Sequence, residues 1–202
     1  MKVSWTAPAP NGDPIVAYEI VIREQGGTEF TSTADCDGAA APVLAALYCL
    51  VPLTTLAGAD YGLVLGDLVV ARARAQNAIG WGQYSQPNAA GATVQTVPGA
   101  VSAPTRGPTT LTSVQVSWLA LAGDGTGGVA VDSYELSYGE GQAGATWAAL
   151  QGQDGAFSTA LSHTLAGATP GEWYRFRVRA HNAHGWGPYS PTATAQAADV
   201  PD

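Results

Sequence analysis

An eleven-residue segment, Ala75 to Ser85 (AQNAIGWGQYS), recurs 105 residues later as Ala180 to Ser190 (AHNAHGWGPYS), with eight identities at a single offset. Self-similarity near a hundred residues constrains the fold more than any composition, because each copy must be a unit that buries its own hydrophobic face. Earlier landmarks repeat too: Val3, Ser4, Trp5 match Val116, Ser117, Trp118, and Tyr18, Glu19 match Tyr134, Glu135. Those offsets are 113 and 116, so the first copy carries about eleven extra residues between its tyrosine and its asparagine. Cys36 and Cys49 both fall in that stretch. The repeat divides the chain into a first domain, residues 1–96, and a second, residues 97–202, with Thr96, Val97, Pro98 and Gly99 at the linker.

Alternation within the copies reads as strands. Tyr174, Phe176, Val178 and Ala180 share one face, and Trp173, Arg175, Arg177 and Arg179 the other, a period of two over eight residues. Val114, Val116 and Trp118 predict a second strand and Tyr134, Leu136 and Tyr138 a third, separated by turn clusters such as Gly123 to Gly128. With 25 Gly and 13 Pro interrupting a chain that is 46% hydrophobic, the reading is all-β.

These residues carry a family resemblance: a tryptophan on the second strand, a tyrosine on the third, Leu165 to Tyr174 around a turn, then the alternating run into Ala180, Asn182 and Gly185. The pattern resembles the fibronectin type III domain, in two tandem copies of an immunoglobulin-like β-sandwich. The resemblance implies that Trp5 and Trp118 centre the two cores with Tyr18 and Tyr134, each tryptophan side chain contributing about 3–5 kcal/mol. It also implies that Leu165 and Tyr174 form a tyrosine corner pinning one strand crossing. The first copy departs there, because eight residues before Asn77 stands Val69 and not a tyrosine. The cysteine-bearing variant is similar to modules of large surface proteins of ciliates and other protists. The first copy also opens on the Trp5 strand without a counterpart of Pro98 to Thr105, while Asp199 to Asp202 echo the linker, so the chain is expected to be an excerpt of a longer array; a trimmed chain is the plainer account of the missing first strand, and a strand supplied by another module or subunit the alternative.

The two cysteines stand thirteen positions apart, with no histidine nearby in sequence to complete a metal site. They read as a disulfide in preference to two free thiols; closing such a loop contributes about 3 kcal/mol in the chain-entropy view and belongs to an oxidising compartment. The bridge is expected to staple the local insertion.

The most specific surface feature is the pair of boxes Trp186-Gly-Pro-Tyr189-Ser and Trp81-Gly-Gln-Tyr84-Ser beside outward arginines. They are similar to the WSxWS box of cytokine receptor modules, which implies Trp186 and Tyr189 stacked with Arg175, Arg177 and Arg179, and Trp81 and Tyr84 with Arg72 and Arg74. Each exposed cation–π contact contributes about 0.5–1 kcal/mol. One reading is a ladder that only rigidifies the sheet; the other is a docking face for a protein or glycan ligand.

Charge and motifs narrow the function. Net charge is −8 with Lys2 the only lysine, so no basic run exists to hold nucleic acid. No apolar run approaches the roughly 20 residues of a membrane span. Neither box loop carries an integrin-type RGD, and Asn11, Asn77, Asn88 and Asn182 all lack Ser or Thr two residues on. His163, His181 and His184 lie in the second copy, and only the last two are close in sequence; they read as solvated histidines before they read as a weak metal pair. No catalytic motif, metal or cofactor is expected. The leading expectation is a non-catalytic module of an extracellular or cell-surface fibre, stalk or filament, contacting neighbouring modules of the same or identical chains. The alternatives are an adhesion or receptor ectodomain, or the spacer of a secreted polysaccharide hydrolase.

Overall fold

The computed structural model describes residues 1–27, 30–32 and 34–198; the linker echo at Asp199 to Asp202 lies outside them. The chain is all-β and divides into two compact units, Met1–Val94 and Gln95–Asp202. That division falls two residues ahead of the one read from the repeat, and Thr96 is the reason. Its N–H donates to the Gly127 carbonyl at 2.9 Å and its carbonyl accepts from the Asn182 amide at 2.8 Å, which builds it into the second unit. No helix among the described residues is long and apolar enough to cross a membrane.

The first unit runs β1 (Lys2–Ser4), β2 (Ala17–Arg23), β3 (Phe30–Ser32), α1 (Ala41–Ala46), β4 (Tyr48–Leu50), α2 (Leu53–Leu56), β5 (Ala71–Asn77) and β6 (Gly80–Trp81). The second runs β7 (Thr105–Thr110), β8 (Ser113–Ser117), β9 (Ser133–Glu140), β10 (Ala148–Gln151), β11 (Ser162–Ala166), β12 (Trp173–Asn182), β13 (Gly185–Trp186) and β14 (Ala193–Gln196). In the second unit a three-stranded sheet, β11-β8-β7, faces a five-stranded one in which β12 pairs β9, β13 and β14 and β9 pairs β10. In the first unit the corresponding sheets are β1-β4 and β3-β2-β5-β6.

Register proves the correspondence. In the second unit Ser117 faces Ser162 and Val116 faces His163; in the first, Ser4 faces Tyr48 and Val3 faces Cys49. Glu135 faces Arg179 and Glu19 faces Arg74. Two glycines that sequence comparison does not align prove equivalent here: a Cβ on Gly38 would lie 2.0 Å from the Tyr18 carbonyl oxygen, and one on Gly152 would lie 1.9 Å from that of Tyr134. In both units the chain leaving the edge strand must cross directly over the strand carrying the core tyrosine, and only a residue without a side chain fits.

The cores differ. The second is a filled sandwich in which Val114, Val116, Trp118, Leu136, Phe176, Val178 and Ala180 are buried. Leu165 and Tyr174 are buried as well, and the Tyr174 phenol oxygen accepts the Thr169 N–H at 2.8 Å, so the corner is present. In the first unit the buried set is Tyr18, Ile20, Ile22, Val51, Leu56, Tyr61, Leu63, Val69 and Val94, together with Cys36 and Cys49. Trp5 is only half-buried and packs against this set from its edge, tilted against Tyr18 with ring centroids 5.4 Å apart. The expectation that it centres the core is therefore corrected. Ala71, Ala73 and Ala75 on β5 stand where β12 has Phe176, Val178 and Ala180, so the floor beneath Trp5 lacks the bulk that encloses Trp118.

The disulfide joins Cys36 and Cys49 with Cα atoms 5.3 Å apart. It does more than staple the insertion, because Cys49 lies in β4 opposite Val3 and both sulfur residues are buried in the core. The insertion folds as α1 and α2 around the bridge. Pro42 stands in the first turn of α1, where a missing N–H costs nothing, and Leu47 closes the helix at φ 57°. Val69, at the position of Tyr174, is simply a core residue.

Candidate functional site

Each unit carries an arginine–aromatic ladder on the outer face of its larger sheet. Alternation along β5 and β12 turns Ala71, Ala73 and Ala75, or Phe176, Val178 and Ala180, inward and the intervening arginines outward. The box that follows then runs back along the same strand. Gly187 N–H donates to the Ala180 carbonyl and Ser190 N–H to that of Val178, while the Ser190 hydroxyl accepts the Val178 N–H. The first unit repeats all three contacts with Gly82, Ser85, Ala75 and Ala73. The box serine is thus a backbone clasp, and it sets the aromatic residues of the box over the arginines.

In the second unit Arg177 lies between the rings of Trp147, at 4.2 Å, and Tyr189, at 3.7 Å; Arg179 lies between Tyr189, at 4.7 Å, and Trp186, at 4.5 Å. In the first, Arg72 lies between Phe30, at 4.2 Å, and Tyr84, at 4.5 Å; Arg74 lies between Tyr84, at 4.5 Å, and Trp81, at 4.8 Å. One expectation fails. Arg175 does not join Trp186 and Tyr189; its guanidinium is buried, donates to the carbonyls of Glu140, Ala143 and Thr146, and meets only Trp147 at 5.0 Å. Gly139 and Gly144 make the space, since a Cβ on either would lie within 3 Å of that guanidinium.

The residue that organises each ladder is a carboxylate that the sequence reading used only as a landmark. Glu135 accepts from the Tyr189 hydroxyl at 2.7 Å, from Arg179 at 2.7 Å and from the Ser137 hydroxyl at 3.1 Å. Burial alone would raise its pKa, but the hydrogen bonds from Tyr189 and Arg179 and the Arg179 charge outweigh that and hold it below the usual value. Glu19 accepts in the same way from Tyr84, at 2.7 Å, and from Arg74. Burial and the Glu19 carboxylate push the Tyr84 phenol upward. Trp147 and Phe30, the outer rungs, were missed because they sit on neighbouring segments and not in the repeated box. The repeated Tyr-Glu pair was the available signal for the carboxylates, since strand pairing places each glutamate directly across from an arginine.

At the end of the second ladder, the Trp186 indole N–H donates to Asp154 at 2.9 Å, and its ring meets His181 at 4.7 Å and Phe157 at 6.0 Å. His181 pairs with Asp132 at 2.7 Å, and His184 turns to Gln95 at 3.1 Å, so the two histidines do not converge on one ligand position. His163 is held by Gln151, and burial lowers its pKa. Among the described residues no cluster of three or more His, Cys, Asp or Glu is placed to hold a metal ion.

With sheet order, corner and ladder in place, comparison with known proteins decides the second unit. Residues 98–196 match the family model of the fibronectin type III domain. These residues form a fibronectin type III domain. Solved structures similar to the chain include the FN1-FN3 domains of chicken CNTN1, 15% identical over 98% of this chain and 62% of that one, with a TM-score of 0.43. A solution structure of a human fourth FNIII domain is 22% identical over 56% of this chain and 89% of its own, with a TM-score of 0.46. A myokine structure is 18% identical over 50% and 99%, with a TM-score of 0.40. No curated protein matches the chain.

Proposed function

We propose that this chain is a non-catalytic structural segment of an extracellular or cell-surface protein, acting through protein–protein contacts between repeated modules. The observation that carries this reading is the consumption of the chemistry-bearing side chains by the scaffold itself. In both units the ladder's tyrosine hydroxyl and its terminal arginine are committed to one glutamate, and the arginine faces are covered by aromatic rings. Such a sheet is braced for rigidity, and a fibronectin type III domain built that way serves as a spacer. The buried disulfide fits an oxidising compartment, and the acidic charge of −8 favours solubility in a crowded array. Electron microscopy of the native protein tests the proposal. Regular filaments or stalks with a module-sized repeat are expected, and isolated compact particles would reject it.

A second reading has one observation in its favour. Trp81 is 41% exposed and Phe157 47% exposed at the open ends of the two ladders, the kind of aromatic surface that takes a sugar face or a protein side chain. Glycan-array binding that is lost on Trp81→Ala and Phe157→Ala would establish an adhesion role in its place.

A further inference from the structure

Thr96 to Gly99, which the sequence presents as a linker, is held at both ends by the second unit. The Thr96 N–H donates to the Gly127 carbonyl and the Gly99 N–H to that of Gly125, each at 2.9 Å. Pro98 between them is fully buried. Two glycines open the passage: a Cβ on Gly127 would lie 2.2 Å from the Thr96 carbonyl oxygen, and one on Gly187 would lie 2.3 Å from that of Pro98. The segment therefore threads a slot between the turn Gly123–Thr126 and the turn that follows β12.

Asn182, the last residue of β12, closes that slot. Its side chain is wholly buried. The amide nitrogen donates to the Thr96 carbonyl at 2.8 Å and to the Thr126 carbonyl at 2.9 Å, while the amide oxygen accepts the His184 N–H at 2.8 Å. Both amide hydrogens are thereby committed, one to each neighbouring segment. An aspartate of the same shape would set a carboxylate oxygen against two carbonyls and leave them without a donor. The strands that the slot joins differ in support. Asn182 ends β12, which pairs β9, β13 and β14, whereas the segment leads into β7, an edge strand whose partner is β8.

We propose that Asn182 makes the entry segment of this domain a force-bearing latch. Tension that reaches the second unit along its incoming chain passes through the Thr96 carbonyl into Asn182 and so into β12, the best-supported strand of the sandwich. Without the latch the same tension would arrive at β7 and peel it from β8, breaking hydrogen bonds one at a time. With it, the two backbone bonds at Thr96 and Gly99 and the two from the Asn182 amide are loaded together. The proposal rests on the array reading, in which each module is pulled through its neighbours, and it names the device that keeps a module closed under that pull.

Optical-tweezers extension of the 202-residue chain, with handles joined enzymatically to its two ends, tests the latch together with amide hydrogen exchange at rest. In the native chain the second unit should open in one step. Asn182→Ala should add an earlier extension of up to about 3 nm, the contour of residues 96–104 and far short of a whole unit. Exchange at Thr96 and Gly99 should rise about tenfold to a hundredfold in that variant, with the Val116 amide of β8 unchanged. If Asn182→Ala folds poorly, Thr96→Pro removes the N–H that bonds Gly127 at an exposed position outside both sheets, and Gly99 exchange and the early extension are read in its place. The latch is rejected if the native chain already releases a short segment first, if Thr96 and Gly99 exchange in it like open-loop amides, or if the variants open in the same single step. Such a rejection leaves the array reading standing on the microscopy, and a failure of the microscopy leaves the extension record intact.

Discussion

The two units build one topology with opposite means of filling it. The second closes its sandwich with side chains: Phe176, Val178 and Trp118 meet under a paired β7, and a tyrosine corner locks the crossing. The first has alanines on the equivalent strand, and it anchors β4 through a buried disulfide and two short helices. Covalent constraint substitutes there for packed volume. The outer faces, by contrast, are nearly superimposable in chemistry, with a glutamate, two arginines and a clasping serine in each. The ladder tolerates a poor core because it depends on register along one strand pair and not on what lies beneath the sheet.

The comparison breaks most sharply at the tryptophans. Trp118→Ala removes a fully enclosed ring and should destabilise the second unit by about 3–5 kcal/mol. Trp5→Ala removes a ring that is only partly buried at the edge of its core and should cost the first unit less, about 2 kcal/mol. Hydrogen exchange in β9 and in β2 reads the two units separately. Equal losses would mean that Trp5 is as fully enclosed in solution as Trp118.

Next in size is the bridge. Reduction of Cys36–Cys49 should cost the first unit about 3 kcal/mol and leave exchange in β9 unchanged. Should the first unit keep its protection after reduction, confirmed by intact mass, the small-residue core would have to be sufficient on its own.

A smaller effect separates the two glutamates. Glu135→Gln should cost the second unit about 2 kcal/mol, since hydrogen bonds to a charged group are lost from a side chain only 7% exposed. Glu19 is 29% exposed, so Glu19→Gln should cost under about 1 kcal/mol. Equal costs would show that burial does not set the strength of the ladder.

How much of this was legible follows the same division. Period-two alternation in Trp173 to Ala180 and the repeated Trp-Gly-x-Tyr-Ser box were enough for the sheet and for four of the five ladder arginines, because both depend on local spacing. Arg175 was misplaced because its environment is set by Gly139 and Gly144 on another strand and loop, and an outward position in the alternation does not say what covers it. Trp5 was misplaced for a related reason: a strand tryptophan is central only when the opposite strand supplies bulk, and Ala71 and Ala73 do not. Glu19 and Glu135 were visible as repeats, but their role needed the strand register that sets them opposite Arg74 and Arg179.

The gentlest test uses pH on the second unit. Glu135 has a folded-state pKa below its unfolded value, which is near the ordinary carboxylate value of about 4.3. Between those two values the unfolded chain binds more protons than the folded one, so stability rises with pH across the interval. The contribution is therefore complete above about pH 4.3 and is lost as pH falls through the folded pKa. Acid titration of β9 exchange should show that loss in the native chain and a flatter profile in Glu135→Gln. Identical profiles would assign the acid sensitivity to other carboxylates and reduce the Tyr189–Glu135–Arg179 triangle to geometry without energetic weight.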